Sequence, residues 1–172
     1  MTTDWQARTI EQRNLLNPAF CAVVLWQVAR GYRAEAETVA GATAALPVEL
    51  AFVGASFVLR GQTRSQLPGT VRTSLATWIQ DHPLERSAVA KGVGILRPYV
   101  REALLFGAHH GALLISGRTV AGEPGAARRI NSYLRQSSAD VRDCAGQAHF
   151  VGRWLNKGGT PSTVMAMLGV QA

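Results

Sequence analysis

Apolar residues recur along most of this chain at intervals of three and four positions, the spacing that places side chains on one face of an α-helix. Prolines and glycines interrupt this pattern repeatedly and divide it into separate segments. We predict helices over the eight segments that carry the spacing, which are residues 18–30, 46–59, 70–80, 84–95, 98–110, 126–136, 139–156 and 161–168.

Residues that suit helix termini mark the ends of these segments. Asn17-Pro18 supplies an N-cap side chain and a proline at the first helical position, and we expect Gly31 to end the first helix as a C-cap residue. His82-Pro83 and Pro98 are expected to separate successive helices, because proline lacks the backbone N–H that a helix interior needs. Residues 1–14 are polar and are expected to form a terminal arm.

One segment has the pattern of a β-hairpin instead. Residues 112–115 and 118–120 are predicted strands, joined by a turn at Ser116-Gly117. The predicted fold class is therefore mainly α, a compact helical domain with one small β-hairpin, in a single domain of residues 1–172. Three helices followed by a hairpin is the order of a winged helix, so residues 70–121 are interpreted as a winged-helix-like subregion, although many mixed α folds share that order.

The amino-acid composition shows an excess of both apolar and positively charged side chains. Hydrophobic residues make up 47% of its 172 positions, more than an ordinary monomer surface requires, and the net charge is +7. Such a charge suits nucleic acid, a membrane surface or an acidic protein partner. Cys21 and Cys144 lie in apolar helical segments, as expected for buried free thiols, and no leader or spanning segment is recognisable, so we expect a cytoplasmic protein.

No set of polar residues has the spacing of a catalytic, cofactor or metal site. His109 and His110 are adjacent, and neighbouring helical residues point about 100° apart, so they are poorly placed to bind one metal ion. Cys144 and His149 are five positions apart on one helix, a spacing that does not bring their side chains together. We therefore predict no catalytic residue, no cofactor and no metal ligand, and expect that the chain is not an enzyme.

Two groups of residues are candidates for binding a protein partner. Arg97, Tyr99 and Arg101 form a predicted ridge that suits phosphate or an acidic surface, and the alternative is an ordinary solvated helix face. Arg153 and Trp154 place a guanidinium beside an indole, the residue types that dominate interface hot spots. The alternative for this pair is that Trp154 lies in the core with Arg153 outside it.

Arginines in two further stretches are candidates for contact with nucleic acid. Each stretch holds three of them and few or no acidic residues: Arg60, Arg64 and Arg72 in the first, and Arg128, Arg129 and Arg135 in the second. If both stretches lay on one face of the protein, that face would attract phosphates. The sequence leaves open whether they do.

Several short motifs occur in a recognisable order, namely Asn17-Pro18-Ala19-Phe20, Ser74-Leu75-Ala76-Thr77-Trp78, Arg97-Pro98-Tyr99-Val100-Arg101-Glu102-Ala103 and Phe150-Val151-Gly152-Arg153-Trp154. In this order they resemble the small middle component of bacterial ABC-type three-component conflict systems, the group to which Lamassu-type antiphage systems belong. The resemblance covers nearly the whole chain and depends on the order of the motifs, since no single motif is chemically diagnostic.

The resemblance implies a hetero-oligomer of three kinds of subunit. An SMC-like ABC ATPase subunit would sense DNA ends or foreign DNA, and an effector subunit, often a nuclease, would do damage when released. The middle component would be a non-catalytic adaptor that joins the two in antiphage or anti-plasmid defence, with indirect or non-specific contact to DNA. The resemblance assigns no role to individual residues.

Two other functions remain open from the residues alone. A winged-helix transcriptional regulator would use residues 98–110 as its recognition helix, but the broad apolar face of that segment argues against base reading. An enzyme with an unrecognised site would depend on residues such as His110 or Glu102.

Overall fold

The computed structural model describes residues 16–39 and 45–170, so the predicted terminal arm at residues 1–14 lies outside the described residues. In these ranges the chain is mainly helical, which confirms the predicted fold class. The helices are α1 (Pro18–Ala36), α2 (Val48–Leu59), α3 (Gly61–Ser65), α4 (Leu75–Asp81), α5 (Pro83–His109), α6 (Ala127–Gln136), α7 (Ala139–Lys157) and α8 (Pro161–Leu168), with a 3-10 turn at Pro124–Ala126 before α6. None of the helices in the described ranges has both the length and the hydropathy that crossing a bilayer requires.

A small antiparallel sheet contains the predicted hairpin. Its strands are β1 (Leu46–Pro47), β2 (Leu113–Ser116) and β3 (Thr119–Gly122), in the order β1-β3-β2. The hairpin is confirmed, but its turn is Gly117-Arg118, because Ser116 pairs with Thr119 and Gly117 adopts a φ of +57° at the first turn position. Leu46-Pro47, predicted to begin a helix, pairs with β3 instead, since a residue before proline favours extended backbone.

Helices α1 and α7 cross with their backbones in direct contact. Gly31 lies inside α1 and does not end it, and a Cβ at Gly31 would overlap the carbonyl oxygen of His149 on α7. Gly152 of α7 is placed in the same way against the carbonyl oxygen of Val28. The prediction of Gly31 as a C-cap was therefore wrong: the glycine serves close helix packing, and buried Tyr32 continues the helix beyond it.

The predicted helices at residues 84–95 and 98–110 are one continuous helix, the 27-residue α5. Pro98 is exposed within it, and a proline in a helix interior costs about 3 kcal/mol. The buried face continues through this position from Val89 and Val93 to Val100, and burying one such side chain contributes about 1.5–3 kcal/mol. Because residues 70–121 contain only two helices before the hairpin, α4 and α5, the three-helix order that suggested a winged helix in this range is not present.

Three aromatic side chains from different helices form the centre of the core. Phe57 of α2, Trp78 of α4 and Trp154 of α7 pack edge to face, with ring centroids 5.4–5.6 Å apart. The indole N–H groups donate to loop carbonyls, from Trp78 to Gln66 at 2.8 Å and from Trp154 to Thr73 at 2.7 Å. Since a buried indole N–H needs an acceptor, the loop between α3 and α4 is tied to the core.

Hydroxyl side chains set the starts of three helices. Ser138 and Thr160 accept from the backbone N–H groups three residues ahead, and Gly169 ends α8 with a φ of +75°. Ser74 caps α4 in the same way, so that helix begins at Leu75 and not at residue 70. Residues 61–65 form the short helix α3.

Replacing Gly152 by alanine should destabilise the fold severely, because the added methyl group would meet a backbone oxygen that cannot move alone. We expect Gly152→Ala to lower the free energy of unfolding by about 3 kcal/mol, the upper end of the usual cost of overpacking, measured by urea denaturation. Gly146→Ala on the same helix is the matched control, since a Cβ there meets open space and should stabilise by about 0.5–1 kcal/mol. Equal stability of the two variants would contradict the backbone contact.

Candidate partner-binding surfaces

The arginines of the predicted ridge line a cleft between α5, α2 and α8. Arg97 and Arg101 lie one helical turn apart on α5, and both border a cavity of about 260 Å³. The floor of the cavity is apolar and comes from separate parts of the chain: Val48, Phe52, Val93, Met165 and Val170. Neither guanidinium forms an ion pair with another described residue. We call this feature the Arg97–Arg101 cleft.

The acidic residue that borders the cleft is already paired. Glu49 binds Arg118 of the hairpin turn. Burial alone would raise the pKa of Glu49, but the hydrogen bond and charge of Arg118 hold it below its ordinary value. Because the charge of Glu49 is matched by Arg118, Glu49 does not neutralise the two arginines on α5 at the mouth of the cleft.

Tyr99 does not share the cleft with the two arginines. It lies two positions from each of them, which places it about 200° around the helix axis, and its side chain is half-buried. The structure therefore brings together two of the three predicted ridge residues.

The second predicted pair, Arg153 and Trp154, is divided between two roles. Trp154 is 1% exposed and belongs to the aromatic cluster, which was the alternative that the sequence left open, so it offers no surface to a partner. Arg153 donates from Nε to Oε2 of Glu35 at 2.9 Å, and the Nζ of Lys157 lies 3.3 Å from Oε1 of the same carboxylate. Arg153 is thus engaged in the contact between α1 and α7.

Glu35 is a buried carboxylate held by two cations. Its side chain is 6% exposed, whereas those of Arg153 and Lys157 are 41% and 47% exposed. Burial alone would raise the pKa of Glu35, but the hydrogen bonds and charges of Arg153 and Lys157 together lower it. The ionised form is therefore the one that the fold stabilises.

Three of the six arginines proposed to contact nucleic acid bind other parts of the fold. Arg60 donates from Nη1 to the buried carboxylate of Glu85 at 3.1 Å, and the hydroxyl of Thr63 donates to the same oxygen at 2.6 Å. Arg64 donates to the carbonyl oxygen of Val58 at 2.7 Å. Arg129 donates from α6 to the carbonyl oxygen of His110 at 2.8 Å.

The other three arginines of that group are exposed. Arg72 lies in the loop before α4, and Arg128 and Arg135 lie on α6, none of them in an ion pair with a described residue. Contact with phosphates therefore stays a hypothesis for these three side chains.

Both cysteines of the described ranges are buried, and neither is placed for nucleophilic chemistry with a histidine. Burial raises the pKa of the Cys144 thiol, which is the opposite of what a nucleophilic thiolate requires. Burial lowers the pKa of His149, and the positive charges of Arg153 and Arg30 lower it further. The ring of His110 stacks on Phe106. Among the described residues no three of His, Cys, Asp and Glu are grouped to hold a metal ion.

Sequence reasoning missed the floor of the cleft and the role of Glu35. The floor is formed by α2, α5 and α8, and nothing in the sequence shows that these segments meet. For Glu35 the sequence did carry a signal. Glu35 follows buried Tyr32 by three positions and precedes buried Ala36, and this spacing places a carboxylate on the apolar face of α1.

Replacing Glu35 by glutamine should destabilise the fold in a pH-dependent way. Because its pKa is lowered on folding, the stabilisation is present above its ordinary value of 4.5 and is lost as the pH falls through the lower folded value. We expect Glu35→Gln to lower the free energy of unfolding by roughly 1–3 kcal/mol at pH 7 and by progressively less below pH 4.5, measured by chemical denaturation.

Glu37→Gln is the control for this experiment, since Glu37 pairs with Arg33 where both side chains are more than half exposed. It should change stability by less than about 0.5 kcal/mol at any pH. A pH-independent effect of Glu35→Gln would show that its charge does not contribute.

Comparison with known proteins identifies the family of the chain. The sequence model of the family described as ABC-three component (ABC-3C) system Middle Component 3 matches residues 5–172. No curated protein and no solved structure matches significantly. The family is named for the middle component and not for the ATPase or the effector of these systems. The match spans nearly the whole sequence and agrees with the resemblance found in its motifs, so this chain belongs to the Middle Component 3 family of ABC-three component systems.

Proposed function

We propose that this chain is a non-catalytic adaptor that joins an SMC-like ABC ATPase subunit to an effector subunit, such as a nuclease, in a Lamassu-like antiphage or anti-plasmid complex of the cytoplasm. Membership of the middle-component family supports a role beside other subunits. The single structural observation that carries the proposal is the Arg97–Arg101 cleft, where two guanidinium groups without an ion pair to a described residue border an apolar floor.

The chemistry of the cleft favours an acidic segment that also carries an apolar side chain. A guanidinium presents two parallel N–H groups to a carboxylate, so arginine suits this recognition better than lysine. The floor, which includes Phe52 and Met165, would receive the apolar side chain. The net charge of +7 would speed the approach of an acidic partner.

Direct reading of DNA has less support. Arg60, Arg64 and Arg129 are engaged within the fold, and the order of elements that suggested a winged helix is absent. Non-specific contact with phosphates through Arg72, Arg128 and Arg135 is compatible with the adaptor role, because these side chains are exposed.

Co-expression with the products of the adjacent genes tests the adaptor role. We expect a tag on this chain to retain a large ATPase and a second protein in a complex that survives gel filtration. Recovery of the tagged chain alone, as a soluble protein that binds neither product, would contradict the proposal.

Reversing the charge of the cleft should weaken that complex. We expect Arg97→Glu combined with Arg101→Glu to lower the affinity for one of the two partners roughly tenfold or more, measured by titration with the purified partner. The matched control is Arg128→Glu combined with Arg135→Glu, which changes the net charge equally at exposed positions outside the cleft. Equal losses in the two variants would show that overall charge, and not the cleft, determines binding.

A further inference from the structure

The side of α5 that faces solvent carries a continuous stripe of mostly apolar residues. Leu84, Ile95 and Leu105 are 83%, 70% and 70% exposed. They belong to a series that alternates steps of four and three positions along the helix, consisting of Leu84, Ala88, Lys91, Ile95, Pro98, Glu102, Leu105 and His109. This is the spacing by which helices pack side by side, and we call the series the α5 stripe.

The stripe lies opposite the buried face of the same helix. Val89, Val93 and Val100 point into the core, so the other face would ordinarily be charged. Lys91 and Glu102 are the charged members of the stripe, and His109 is a further titratable member. Large apolar side chains left in water on the outer face of a helix indicate that another surface covers them.

The two halves of the stripe differ in shape. The first half borders a groove of about 780 Å³, whose walls include Leu59 and Leu96. The second half presents Leu105, which is 70% exposed. A groove at one end and a protruding side chain at the other are complementary when two copies pack antiparallel around a twofold axis.

We propose that the α5 stripe is a homodimer interface, in which α5 packs antiparallel against α5 of a second copy around a twofold axis midway between Leu96 and Arg97. The spacing then places each Lys91 opposite Glu102 of the other copy. It also sets the small Ala88 opposite the large Leu105, and Ile95 opposite Pro98. A twofold interface requires each pairing to occur twice, and the stripe satisfies this with both charge pairs attractive.

The charge order selects this register. In an antiparallel pair shifted by one heptad in either direction, Lys91 and Glu102 would no longer be opposite each other, and at least one of them would face an apolar residue. The net charge of +7 on each copy opposes association, so we expect a dimer that dissociates at roughly micromolar concentration. This inference does not depend on the proposed adaptor function.

The mass of the full-length chain in solution tests the proposal. Sedimentation equilibrium over a range of concentrations should show a monomer–dimer equilibrium for the wild type and a monomer for Ile95→Glu. Val39→Glu, which changes another apolar residue that is 57% exposed, should leave the dimer unchanged. Circular dichroism melting curves would show that each variant is folded.

A charge exchange tests the antiparallel register directly. We expect Lys91→Glu alone and Glu102→Lys alone to weaken the homodimer at least about tenfold each, because like charges then meet twice. Mixed together, the two variants should form a heterodimer in which both pairs are attractive again. Capture of one variant by the other, with neither capturing itself, would support this register.

Three outcomes would overturn the proposal. A wild-type monomer at all concentrations would exclude the dimer, and a dimer unaffected by Ile95→Glu would place the interface elsewhere. If the wild type is a monomer and Ile95→Glu no longer binds the product of an adjacent gene, the stripe binds that partner instead of a second copy. The proposed adaptor function would then still hold.

Discussion

The direct contact between the backbones of α1 and α7 is the constraint on which the rest of the structure depends. It exists because Gly31 and Gly152 each lack the side chain that would push the other helix away. Helices at this distance bury most of their facing sides. Residues beside the crossing therefore have fixed directions, and the close approach leaves no room for adjustment.

The division of Arg153 and Trp154 follows from that crossing. Both come directly after Gly152, and consecutive residues on a helix point about 100° apart. Trp154 enters the core beside Phe57 and Trp78, while Arg153 turns along the edge of α1 to reach Glu35. The core and the ion pair are thus two consequences of one helix packing. Because α5 packs against α1 and α2 with one face, its opposite face is left for other surfaces.

Much of the fold could be predicted from the sequence, because its local signals are ordinary ones. The caps at Ser138 and Thr160 and the hairpin around Gly117 depend on neighbouring residues alone. Gly31 and Pro98 were misread because their usual local meaning was overridden by tertiary packing. For Gly31, a glycine that ends a helix and a glycine that allows another helix to approach look the same in a sequence. For Pro98, the buried residues on both sides of the proline keep α5 intact.

The candidate site could be predicted only in part for the same reason. The spacing of four between Arg97 and Arg101 places both on one face of a helix, so their proximity was foreseeable. The apolar floor beneath them comes from α2 and α8, whose approach depends on the whole fold. The α5 stripe was hidden as well, since its regular spacing appears only when Pro98 is accepted inside the helix.

An adaptor works by holding two partners at once, and the Arg97–Arg101 cleft is the surface that we propose binds one of them. The most direct test uses purified ATPase, effector and this chain. The effector is immobilised, and the ATPase it retains is measured with and without the middle component. We predict that the ATPase is retained only when this chain is present. Equal retention without it would contradict the adaptor role.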